Sequence, residues 1–174
     1  MVINNFRNVC KCDKISCNRQ VNFRGVMKME KDTFQKNLNS YTVNSISYDE
    51  YEGHLNFSNV GKKEKSYFAY FEISDASKPL PYKKNMEFKA KIRVEEIEKA
   101  VKVSEDTPKI LSQPLKNSTT TDFVAKITQS LGEGVFMAKV DDFTEEIELS
   151  INDNDNFQIG DLIKARGYLA VDFQ

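Results

Sequence analysis

The chain has 174 residues, 40% hydrophobic and 29% charged, with a formal net charge of −1. That length buries a core without disulfides or metals, and the composition is that of an ordinary globular protein. No apolar run approaches the roughly 18 residues of a membrane span, and Arg7 and Lys11 interrupt any signal-peptide core. A cytoplasmic protein without a membrane partner is expected, with a nuclear location as the alternative.

Charge is spread unevenly. Met1–Ser40 is net +5, Tyr41–Val103 net +1 and Ser104–Gln174 net −7. The basic start suits phosphates and the acidic end repels them.

In chain order, residues 1–17 read as a polar extension carrying Cys10, Cys12 and Cys17. With His54, the single histidine, these thiols could in principle make a Cys3His zinc site. Cys10 and Cys12 are separated by one residue, however, where structural zinc ligands have about two to four. Reduced thiols are expected instead, with no metal and no cofactor.

Val21–Met29 alternates as a strand. Lys31–Asp49 reads as a long polar loop holding a short strand near Tyr41–Ile46. Tyr51–Phe57 and Ser66–Ile73 predict two strands joined by the lysine-rich turn Asn59–Lys65. Met86–Val94 and Ile97–Val103 predict two more. Pro108, Pro114 and the Ser/Thr-rich stretch mark a linker over 104–118. Beyond it, Phe123–Leu131, Val135–Val140, Glu146–Ile151 and the final alternating run predict a second set of strands, which suggests an internal duplication. The expected fold class is all-β, with two small OB-like five-stranded β-barrels in tandem, over 18–103 and 119–174. The second, with about 55 residues, is either abbreviated or lends strands to the first.

The motifs of enzymes are missing. There is no phosphate-binding glycine loop, no nucleophile elbow and no partner for His54 in a relay. Asp153-Asn154-Asp155 lacks the glycine and terminal glutamate of a calcium loop. A non-catalytic protein is expected.

The binding signal lies in Tyr67-Phe68-Ala69-Tyr70-Phe71. Its alternation puts Phe68 and Tyr70 on one face, beside the lysines of the preceding turn. Rings that stack on bases next to cations that hold phosphates suit single-stranded nucleic acid. Phe57, Phe68 and Tyr70 are the candidate stacking residues. Arg24, Lys28, Lys62, Lys63 and Lys65 are the candidate phosphate contacts.

The same stretch carries a family likeness. Y-F-A-Y-F-E and K-N-M-E-F-K-A-K-I resemble consecutive strands of a cold-shock domain. The segment Asp49–Ile92 resembles more closely the variant cold-shock domains of Unr-like RNA-binding regulators, which place a Y-x-G-x-I strand before the hairpin. The resemblance implies an OB-type fold, binding of single-stranded RNA in preference to DNA, and a role in post-transcriptional or translational regulation.

The sequence departs from that pattern: Tyr51–Phe57 keeps only Gly53 and Phe57 of the aromatic K-G-[FY]-G-F strand. The alternative reading is therefore a protein–protein interaction module of a larger nucleoprotein complex, including an ssDNA-binding OB subunit in replication or telomere maintenance. In that reading Asp141, Asp142, Glu145 and Glu146 select a basic protein partner. Phe143, Phe157 and Phe173 join Leu162, Ala165 and Tyr168 in the contact.

Overall fold

The computed structural model describes residues 39–75, 77, 79–151 and 156–173. Every regular element among them is a strand. The extension 1–17 and the strand expected at Val21–Met29 lie outside the described residues.

Side chains of period two divide each strand into a buried and an outward row. β1 (Asn39–Tyr48) buries Tyr41 and Val43, then shifts register between Val43 and Ser45. That bulge breaks the alternation, so of a ten-residue strand only a short one near Tyr41–Ile46 is legible in the sequence. β2 (Glu52–Asn59) buries Gly53, Leu55 and Phe57. β3 (Lys62–Glu72) buries Tyr67, Ala69 and Phe71. Gly53 has no alternative, because a Cβ there would lie 2.4 Å from the Phe71 ring.

β4 (Glu87–Ile97) pairs its start with β1, and the short β5 (Ala100–Lys102) continues its course. The expected linker holds β6 (Leu111–Ser112), which pairs with β7 (Thr120–Gly132). Leu111 is fully buried, so this segment is part of the core and not a spacer. β7, β8 (Val135–Lys139) and β9 (Ile147–Ile151) form a second antiparallel meander, and β10 (Leu162–Phe173) returns along β7.

The expected tandem of self-contained barrels meets a different arrangement. All ten strands among the described residues belong to one sheet, and the pairing crosses the expected boundary. β10 lies antiparallel to both β4 and β5, so the two chain halves build one long two-stranded ribbon. At one end of the ribbon β1, β2 and β3 close a five-strand ring, with β3 parallel to β10 at Tyr70 and Ala170. At the other end β7, β8 and β9 close a second ring, with β9 parallel to β4 at Glu148–Leu149. Each ring takes one strand from the other half of the chain. Strand lending, one of the two options for the short second half, operates in both directions.

Where the ribbon passes from ring to ring it bends. Glu96 adopts φ +52°, and the register against β10 steps by two residues between Val94–Leu169 and Ala100–Ala165. Gly167 sits opposite, where a Cβ would approach the Glu95 carbonyl oxygen to 2.7 Å. One apolar cluster runs through both rings.

The β8–β9 loop seals the first ring. Phe143, expected in a partner contact, is buried against Tyr67 and Tyr41 at ring distances of 5.1 and 6.2 Å. Leu162 and Ala165 are buried as well, and Phe173 packs on Phe71 and Tyr82. Core burial of an aromatic ring outweighs its value on a surface. Replacing Phe143 with Ala is expected to cost about 3–5 kcal/mol of stability. Urea denaturation should show one transition moved to lower denaturant, and an unmoved midpoint would contradict the plug.

Candidate nucleic-acid interface

The alternation of β2 and β3 leaves a second row facing outward. Antiparallel register sets His54 opposite Tyr70 and Asn56 opposite Phe68. His54 is exposed and stacks diagonally on Phe68, with ring centroids 5.3 Å apart and planes 15° apart. Phe68 and Tyr70 are half-buried, so both rings remain partly open to solvent beside His54. This is a platform of three adjacent rings.

Its supports are polar. Gln113 accepts from the Phe68 N–H at 2.7 Å and donates to the Phe68 carbonyl at 2.6 Å, closing the free edge of β3. The same amide donates to Thr121 Oγ1 at 3.1 Å, which ties β3 to the start of β7. Tyr70 donates its hydroxyl to Glu95. Arg93 bridges Glu95 and Asp172, at 2.6 and 2.8 Å. Burial pushes the Glu95 carboxyl above its usual range, and Asp172 and Glu148 add to the rise.

Phe57 does not belong to this platform. It is fully buried and packs on Tyr41, Tyr67 and Phe88. Its register partner is Tyr67, which points inward, so Phe57 points inward too. A base cannot reach it.

The phosphate contacts also sort differently from the expectation. Arg24 and Lys28 lie outside the described residues, as do the side chains of Lys62 and Lys63. Lys65 is already engaged: it pairs with Asp142 and donates to the Leu111 carbonyl at 2.7 Å.

Asp142 anchors the joint between the rings and is unsuited to select a basic partner. Its carboxylate accepts from Lys65, from Tyr67 Oη at 3.1 Å and from the Leu111 N–H at 2.5 Å. Its side chain is only 12% exposed. Burial, reinforced by Asp142, raises the Tyr67 hydroxyl pKa well above its ordinary value, which keeps it a donor. Asp141 is exposed and lies 3.7 Å from Lys109, while Glu145 and Glu146 are half-buried. Of the four carboxylates, Asp142 is taken up within the fold and Asp141 is the exposed one.

Cys10, Cys12 and Cys17 lie outside the described residues, among which no cluster of three or more His, Cys, Asp or Glu could hold a metal. Sequence reasoning missed His54 as a platform ring because it considered the imidazole only as a metal ligand or a relay member. The available signal was parity: His54 is three residues before Phe57 and so on the opposite face. Gln113 gave no signal, since it acts across a long loop. Comparison with family models, curated proteins and solved structures finds no match to this chain.

The raised Glu95 pKa fixes the sign of a pH effect. A carboxyl that binds its proton more tightly when folded stabilises the protein below its unfolded value, near 4.5. That contribution is lost as pH rises through the folded value. Glu95→Gln, which retains an acceptor for Tyr70, should remove this component. Denaturation midpoints of both proteins across the acidic range are expected to diverge progressively above the unfolded value, with the variant relatively more stable. Parallel curves would rule the effect out.

Proposed function

We propose that this chain is a non-catalytic single-stranded nucleic-acid-binding protein, with RNA favoured over DNA. In this reading the first ring is an OB-like barrel that receives bases on the outward face of β2 and β3. The observation that carries it is the His54–Phe68 stack beside Tyr70 on the outward face of β2 and β3; OB-type barrels bind oligonucleotides on the face of their second and third strands. Stacking on each ring contributes on the order of 1–3 kcal/mol and tolerates any base, since every base has a π-face. The preference for RNA and the regulatory setting, post-transcriptional or translational control, come from the resemblance to cold-shock domains. The chemistry of the platform serves single-stranded DNA equally.

The interaction-module reading retains one observation of its own. A groove of about 750 Å³ at the far end of the first ring combines Leu80, Tyr82 and Phe173 with Glu72, Asp75 and Asp172. Acidic and aromatic together, it suits a basic protein segment better than a polyanion.

Fluorescence titration of labelled oligouridylate and oligothymidylate at two salt concentrations tests the principal reading. Binding is expected at low salt and should weaken steeply as salt rises. Phe68→Ala with Tyr70→Ala should reduce affinity by about 2–6 kcal/mol at unchanged circular dichroism. A double variant that binds like the parent would remove the platform as the site.

A further inference from the structure

The platform continues beyond β3. Tyr70 is paired with Ala170 of β10, and outward residues of β10 follow at every second position. Tyr168, Arg166 and Lys164 therefore extend the same face along the ribbon and onto the second ring. Lys164 stands six residues from Ala170, roughly 20 Å at about 3.3 Å per residue. All three side chains are exposed.

This row has the chemistry that the β2–β3 platform lacks. Tyr168 adds a fourth ring, 41% exposed. Arg166 is 65% exposed and held in place by Asp122, at 2.6 and 2.9 Å. The carboxylate uses two N–H groups of a guanidinium that carries five donors. Beside the row, between the Thr107–Ser112 segment and β7, runs a groove of about 390 Å³. Lys164 and Arg166 form one wall, Ile110 and Ser112 the other, and buried Val124 contributes to its floor. Ile110 is 51% exposed at the rim, an apolar edge against which a base can lie. A second, smaller groove beside Arg166 and Tyr168 is lined by Glu96, Glu98 and Lys99. Its two carboxylates against one ammonium make it less favourable to a polyanion than the first.

We propose that a single nucleic-acid strand crosses from the His54–Phe68–Tyr70 platform onto β10, setting its phosphates on Arg166 and Lys164 and a base in the groove under Ile110. This path rests on the nucleic-acid reading of the first ring. It assigns the phosphate contacts to the second ring, within the chain's acidic part.

The test uses the full chain with fluorescein-labelled oligouridylates of roughly four and roughly twelve nucleotides, spanning most of the range that a single barrel covers. The short probe reports the platform and the long one the whole path. Lys164→Gln with Arg166→Gln should weaken the long probe by about tenfold. It should also lower the slope of log affinity against log salt by about 1.4, close to 0.7 for each phosphate released. Lys164→Gln alone should give about half that change in slope, which covers the case in which losing the Asp122 pair disturbs the fold. The short probe should bind all three proteins equally, whereas Phe68→Ala should weaken both probes. If Phe68→Ala weakens both while the β10 variants bind the long probe like the parent, the path is wrong and the platform stands. If the parent binds neither probe, both readings fall.

Discussion

The antiparallel ribbon of β10 with β4 and β5 is the constraint on which the rest of this structure depends. A sheet edge left unpaired exposes a row of backbone donors and acceptors. Neither three-strand meander can close on itself, so each closes on the ribbon, one on either end. The first ring needs β10 from the second half, and the second needs β4 from the first. Chain halves that look separable by sequence are thereby obliged to fold together. The residues at the joint match that obligation: Asp142 gathers Lys65, Tyr67 and Leu111, and Phe143 fills the first ring from the second meander.

The functional reading follows from the same alternation that builds the core. β3 sends Tyr67, Ala69 and Phe71 inward and Phe68 and Tyr70 outward. Inward rings contribute hydrophobic burial. Outward rings would add little to stability, yet the backbone that carries Phe68 is paired by Gln113 and the Tyr70 hydroxyl by Glu95. In the proposed reading, a face held in this way loses less conformational freedom when a flat ligand binds, which lowers the entropic cost.

Much of the strand content is legible in the sequence because period-two alternation states which residues share a face. β2, β3, β4, β5, β7, β8, β9 and β10 appear at or within a few residues of their positions. β1 is obscured by its bulge at Asn44 and by its Asn and Ser content. Alternation does not state which strand lies alongside, so the mutual lending of β4 and β10 is invisible until the pairing is seen. Phe57 shows the same gap at the level of one residue. Only its register with Tyr67 reveals that it faces away from Phe68. Asp142 and Phe143 are hidden for another reason: they sit in a loop with an acidic composition, where nothing in the sequence marks inward direction. Part of the candidate site was therefore readable, namely Phe68 and Tyr70. His54, Gln113 and the β10 row come from contacts between distant segments.

Separating the halves tests the shared ribbon most directly. Residues 1–104 and 105–174 would be produced as two isotope-labelled chains, and their amide spectra recorded alone and mixed. Each alone should give the narrow dispersion of an unfolded or aggregating chain, because its ring lacks one strand. Together they should give the dispersed spectrum of the intact protein in a 1:1 complex. A well-dispersed monomeric spectrum from either half alone would contradict the account.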